Sequence, residues 1–250
     1  MQMKKIILIT GSSRGIGAAT ALLAAREGYA VAVNYHSDEA AADAIVSKIR
    51  ESGGSAVAIQ ADISQSDDIA RLFSETDRLL GRLDALVNNA GILEKQMRLV
   101  DMDAARLNRI FRANVIGQFL CAQEAIKRMS TKYGGSGGSI VNVSSLAART
   151  GAPDEYLDYA ASKGALDTFT LGLSKEVAAE GIRVNAVRPA FIYTDIHAAG
   201  GEPNRVDRLK DSIPMQRGGL AEEVAEAILW LISGKSSYTT GSFIEISGGK

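Results

Sequence analysis

Seven short apolar runs, at 5–10, 30–34, 56–60, 85–88, 139–144, 183–187 and 242–246, punctuate the chain and are bounded mostly by Gly or Asn. They are largely continuous rather than alternating, the pattern of strands covered on both faces. Between them, longer amphipathic stretches near 15–27, 38–52, 66–81, 104–131, 155–180 and 221–233 predict helices. Strand and helix therefore alternate along the chain, which predicts an α/β fold: a parallel sheet with right-handed crossovers and helices on both faces. In such a sheet, ligands bind beyond the carboxyl ends of the strands.

Composition narrows the picture without changing it. With 250 residues, 46% of them hydrophobic and 23% charged, the chain is expected to fold as a single domain over 1–250. The four prolines form no linker, and neither repeats nor low-complexity stretches occur. Lys plus Arg number 28 against 29 Asp plus Glu, so charge gives no reason to expect a nucleic-acid or anionic-membrane partner. A small-molecule partner is expected instead. The lone cysteine, Cys121, excludes an intramolecular disulfide and reads as a buried, inert thiol, and two histidines are too few for a His-based metal site. After residues 1–5 comes an apolar run of only four residues, too short for a signal segment or membrane span, so a cytoplasmic setting is expected.

The first strand ends in Thr10-Gly11-Ser12-Ser13-Arg14-Gly15-Ile16-Gly17, and a helix follows. Glycines 11, 15 and 17 permit a tight turn, close approach of backbone to a pyrophosphate, and close helix packing; the helix N-terminus adds unpaired N–H groups and partial positive charge. This placement predicts a dinucleotide phosphate site.

A second constellation carries the chemistry. Tyr159 and Lys163 are four apart at the start of the 155–180 helix, which puts phenol and ammonium on one face. A phenol titrates near pKa 10 unless a nearby cation stabilises its anion, and Lys163 is placed to supply that cation. Ser145 follows the fifth strand, where its hydroxyl is placed to meet a substrate oxygen. Strand alternation points Ser144 and Ser145 to opposite faces, so only one of them reaches the site. Tyr156 has Ala160 rather than a lysine four residues on, and reads as a pocket wall.

In this order, the motifs resemble those of the short-chain dehydrogenase/reductase family, in the compact form of the 3-oxoacyl carrier-protein reductases and bacterial glucose 1-dehydrogenases. The matching positions run along the whole chain: Thr10 to Gly17, Asp62, Asn88-Asn89-Ala90-Gly91, Asn114, Asn142-Val143-Ser144-Ser145, Tyr159 with Lys163, Asn185-Ala186-Val187-Arg188-Pro189, Thr194, Thr240-Gly241-Ser242 and Gly248-Gly249. The resemblance implies a single-domain Rossmann fold with a seven-stranded parallel sheet, commonly assembled as a homotetramer. It implies that Tyr159 is the acid/base, that Lys163 also holds the nicotinamide ribose, that Ser145 orients the carbonyl, and that Asn114 positions a water for a proton relay through Lys163. Ser144 then faces away. Cofactor contacts are implied at Gly11, Ser13, Arg14, Gly15, Ile16, Gly17, Ile63, Gly91 and Pro189. Asp62 would accept from the adenine amino group, Asn89 and Ala90 would line the adenosine ribose, and Ile192 and Thr194 would meet the nicotinamide carboxamide and a nearby phosphate.

NADP(H) is the expected cofactor, with NAD(H) possible. NAD-selective sites place a carboxylate at the end of the second strand, whereas Val33-Asn34-Tyr35-His36 offers none before Asp38. Arg14 matches the basic residue that NADP-using relatives place beside the 2′-phosphate, and Asn34 and His36 are expected to add donors. Ala190 follows Pro189 where the family usually has glycine, and a methyl group at an angle favouring glycine would crowd the nicotinamide. Pro153, Asp154 and Glu155 lengthen the interval from Ser145 to Tyr159. The polar segment 193–215, with weak helical periodicity at 206–209, is a candidate lid; His197 in it is expected to be a pocket or solvent residue. These readings converge on an enzyme interconverting a secondary alcohol and a ketone by hydride transfer. Two alternatives are a dinucleotide-binding sensor or interaction protein with little turnover, and a Rossmann-type methyltransferase, which would leave Tyr159 and Lys163 unexplained.

Overall fold

The computed structural model describes residues 4–250; residues 1–3, part of the N-terminal stretch read for targeting, lie outside the described residues. The strands are β1 (Ile6–Ile9), β2 (Ala30–Tyr35), β3 (Ser55–Gln60), β4 (Ala85–Asn88), β5 (Gly138–Val143), β6 (Ile182–Pro189) and β7 (Phe243–Ile246). They form a seven-stranded parallel sheet in the order β3-β2-β1-β4-β5-β6-β7. The helices are α1 (Gly15–Arg26), α2 (Glu39–Glu51), α3 (Ser66–Leu79), α4 (Ala104–Phe111), α5 (Gly117–Met129), α6 (Ala147–Thr150), α7 (Leu157–Glu176), α8 (Ile196–Ala199), α9 (Arg205–Leu209) and α10 (Ala221–Ile232).

Both faces of the sheet are covered, which is why its strands read as unbroken apolar runs. In β1, Ile7 and Ile9 point into a core with α1, α2 and α10, where Ala21, Ile45, Ile49 and Ile228 pack. Ile6 and Leu8 point the other way, onto Leu72 and Phe73 of α3, Ala122 and Met129 of α5, and Leu173 of α7. The strand order reverses between β1 and β4, the point at which a doubly wound sheet has its ligand crevice, beyond the carboxyl ends of the strands.

Two features of the intervening segments shape that crevice. The stretch read as one helix over 104–131 is divided by a π-helical turn over Arg112–Ile116, which carries the buried Asn114. Such widened turns commonly aim a functional side chain. The segment read as a polar lid holds α8 and α9; Arg205 pairs within it with Glu202 and ties it to Glu155, in the loop before α7. No helix among the described residues is long and apolar enough to cross a membrane.

Candidate active site

The turn after β1 is shaped by glycine. Gly11 and Gly15 take φ of +60° and +56°, and a Cβ on Gly17 would lie 2.6 Å from both the Gly11 carbonyl and Asn89 Nδ2. Asn89 braces the turn, donating to the carbonyls of Thr10 at 2.8 Å and Gly11 at 2.9 Å, while the backbone amides of Asn89 and Ala90 reach Thr10 Oγ1. At the start of α1, Arg14 makes no side-chain cap and the first turn has no acidic residue. The first N–H groups of the helix are thus left for an anion. Ser13 and Ile16 are partly exposed and Arg14 exposed beside this opening, and a Cβ on Gly15 would come within 3.4 Å of Thr194. A pyrophosphate fits this cradle.

At the end of β2 the expectation for Asn34 is corrected. Its side chain is buried: Oδ1 accepts from Gly11 N at 3.0 Å, and Nδ2 donates to the carbonyls of Tyr35, Ile59 and Ala61. It ties the glycine turn to β2 and β3 and has no donor left for a phosphate. His36, by contrast, is exposed, with Nε2 3.8 Å from Asp62 Oδ2. Asp62 accepts from Ser64 N through its other oxygen, and Ile63 beside it is buried. Asp38, the nearest acid after β2, caps α2 by accepting from Ala41 N at 3.0 Å.

The catalytic candidates meet beyond β4 and β5. Lys163 is buried on α7 and donates to the Val143 carbonyl at 2.7 Å; its Nζ stands 5.5 Å from the centre of the Tyr159 ring. A Cβ on Gly91 would lie 3.6 Å from that amine and 3.2 Å from Asn114 Oδ1, so glycine here keeps the approach to both groups open. Asn114 accepts from Ile92 N at 2.7 Å and donates to Ile92 O at 3.0 Å and to Ser162 Oγ at 3.2 Å. The two serines divide as alternation requires. Ser144 Oγ donates to Asp167 at 2.6 Å, whereas Ser145 Oγ accepts from Ala147 N at 3.1 Å and sits beside the Tyr159 phenol.

Electrostatics here differ from the expectation. Burial pushes the Tyr159 phenol up to about 12, against the opposing pull of the Ser145 hydroxyl. Burial also pushes Lys163 down to about 8, with Asp167 acting in the opposite direction. Burial thus works against the charged form of both groups, and the rise of the phenol shows that it outweighs any pull from the Lys163 ammonium in this state.

On the other wall, Ala190 does not take a left-handed backbone, and its N–H donates to Ile246 O at 3.0 Å. The expected strain at this alanine is therefore absent. Among the described residues, the left-handed non-glycine positions are instead Ala152 and Asp154, in the lengthened loop before Tyr159, and Gln216. Pro189 O receives Leu146 N, Ile192 is buried and bridges to Gly219, and Thr194 Oγ1 donates to Ile192 O. Tyr156 is buried and donates to Gly200 O at 3.1 Å, anchoring α8. His197 is buried with Nε2 2.9 Å from Ile192 O, and burial lowers its pKa. Cys121 is likewise buried, its thiol pushed up to about 12 and inert.

Three residues were not singled out from sequence. Asp167, which bonds Ser144 and adjusts Lys163, lies four after Lys163, a spacing that could have exposed it. Arg106 and Asp158 form a buried ion pair at 2.7 Å beside Tyr159, and no local spacing links them.

Residues 11–250 match the family described as Enoyl-(Acyl carrier protein) reductase. The chain is 61% identical over 245 residues to the uncharacterized oxidoreductase YgfF of Escherichia coli, covering 98% of this chain and 99% of that one. The chain belongs to the short-chain dehydrogenase/reductase family. It is also 36% identical over 249 residues to the 3-oxoacyl-[acyl-carrier-protein] reductase FabG of Staphylococcus aureus, covering 100% of this chain and 99% of that one. The acetoin dehydrogenase YohF from Salmonella typhimurium superposes with a TM-score of 0.86 at 37% identity, covering 99% of this chain and 97% of that one. A dehydrogenase/reductase from Sinorhizobium meliloti gives 0.90 at 33%, covering 98% and 94%. This short-chain dehydrogenase/reductase is an enzyme, an oxidoreductase of the class that uses a nicotinamide dinucleotide.

Proposed function

We propose that the protein is an NADP(H)-dependent reductase or dehydrogenase interconverting a small ketone and its secondary alcohol, with Tyr159 as acid/base. The observation that carries this reading is the grouping of Tyr159, Lys163 and Ser145 beyond β5, across the crevice from the glycine cradle. The cofactor supplies the hydride when bound. Ser145 donates its hydroxyl to the carbonyl oxygen. Tyr159, protonated at neutral pH as any phenol is and raised further by burial to about 12, gives its proton to the same oxygen as negative charge develops there. Lys163, fixed by Val143 O, holds ribose hydroxyls and returns a proton to Tyr159. Asn114, locked to Ile92, positions a water that extends this path. Acyl-carrier-protein and acetoin names among the relatives make carbonyl compounds the first substrates to test. Purified protein is expected to consume NADPH with at least one member of a carbonyl panel.

Arg14 is the proposed selector of the 2′-phosphate, with His36 near it. The nearest acid after β2, Asp38, is committed to its helix cap. A charge-assisted contact of about 1.5 to 3 kcal/mol gives roughly 10- to 100-fold in affinity, shrinking as salt rises. Titrating NADPH and NADH is expected to show NADPH preferred by wild type and the preference lost in Arg14→Ala; equal affinities in wild type would remove Arg14 from this role.

The pH dependence follows from Lys163. Its pKa is depressed, so the ammonium is present below about pH 8 and is lost as pH rises through that value. The kcat/KM for NADPH reports the free enzyme and is expected to fall above about pH 8. A flat profile through that region contradicts the assignment.

We also propose a cytoplasmic homotetramer built through α5 and α7. Phe119 on α5 and Phe169 on α7 stack at 3.8 Å, and Phe119, Leu171 on α7 and Ile116 in the π turn before α5 expose apolar surface. Light scattering at micromolar concentration is expected to report four subunits; a monomer would refute the assembly.

A further inference from the structure

The ion pair beside Tyr159 lies almost wholly out of water. Arg106, on α4, and Asp158, in the first turn of α7, have side chains only 4% and 0% exposed. Arg106 Nε donates to Asp158 Oδ2 at 2.7 Å, Nη2 donates to Oδ1 at 3.4 Å, and Nη1 donates to the Lys95 carbonyl at 2.7 Å. Asp158 Oδ1 also accepts the backbone N–H of Tyr159 at 2.9 Å. In the first turn of a helix that N–H has no helical carbonyl to reach. One carboxylate thus joins the Tyr159 backbone, through one guanidinium, to the loop after β4. A second strut runs alongside, Met97 N donating to Glu155 O at 3.0 Å.

Taking both charges out of water costs about as much as their attraction returns, and well-packed apolar residues often serve stability as well or better. Stability is therefore a weak reason for this pair. What it provides is geometry: the fork of Arg106 fixes the direction of Asp158, and Asp158 fixes the residue that bears the phenol.

We propose that Arg106 and Asp158 are positioning residues that hold Tyr159 in register with the loop after β4, whose Ile92 in turn holds Asn114. This rests on the reading of Tyr159 as acid/base. Neither side chain is assigned a contact with substrate or cofactor, so the effect is expected in kcat, with KM for the cofactor unchanged. A displacement of the order of 1 Å at a reacting group costs about 10²-fold in rate.

Three variants test this: Asp158→Leu alone, the double variant Arg106→Met with Asp158→Leu, and Tyr159→Phe. Each is measured for thermal stability, NADPH binding, and kcat with the carbonyl that wild type turns over best. The single variant strands a buried guanidinium and is expected to melt early. In the double variant, apolar packing is expected to restore the melting temperature and NADPH binding while kcat stays about 10²-fold low. Turnover that recovers together with stability, or a double variant that melts as early as the single one, makes the pair structural and overturns the proposal. Wild-type turnover in Tyr159→Phe refutes the acid/base reading itself, whatever the double variant does.

Discussion

Tyr159→Phe is expected to bind NADPH as wild type does while turnover falls by roughly 10²- to 10⁴-fold, the loss typical of a removed general acid. The substitution deletes one oxygen and leaves the ring that faces Lys163 in place. Ser145 Oγ keeps its acceptor contact with Ala147 N, and Lys163 keeps Val143 O, so the surrounding geometry persists. Lost turnover with retained binding places the proton in the hydroxyl. Turnover near that of wild type removes Tyr159 from the mechanism.

Lys163→Met is expected to lower turnover at least as much and, in contrast to Tyr159→Phe, to weaken NADPH binding as well. Methionine fills much of the lysine stem's volume, which limits packing loss. The amine contact to Val143 O disappears, as does the donor proposed for the ribose. Asp167 keeps partners in Ser144 and Arg188, so the substitution does not strand its carboxylate. Fluorescence titration with NADPH separates the two variants: unchanged affinity in Lys163→Met would refute the ribose role even if turnover fell.

Much of this architecture is legible along the chain because its physics is local. Strands covered on two faces must be apolar at successive positions, and the seven runs were found within two residues of their ends. Four-residue spacing joined Tyr159 to Lys163, and strand alternation divided Ser144 from Ser145. Other features depend on what folding brings together. Asn34 looks like a free donor at a strand end, but the glycine turn and β3 close over it and use its amide. The π turn at Asn114 interrupts a segment whose apolar spacing remains helical, and its partner, Ile92, lies on another element. Burial, invisible at the level of residue spacing, raises Tyr159 where a neighbouring cation alone would lower it. Ala190 illustrates the opposite error, a family glycine replaced where the backbone here does not need one. The Arg106–Asp158 pair joins residues 52 apart, which no local pattern connects.

The claim that this site moves hydride between a nicotinamide and a carbonyl is tested most directly with an isotopic label. NADPH carrying deuterium at both nicotinamide C4 positions is supplied with the ketone that wild type turns over best, and the product is analysed by mass spectrometry. The expected result is an alcohol with one deuterium on its carbinol carbon, formed by wild type and far more slowly by Tyr159→Phe. An unlabelled alcohol, or no alcohol from any ketone in the panel while NADPH binds, would contradict it.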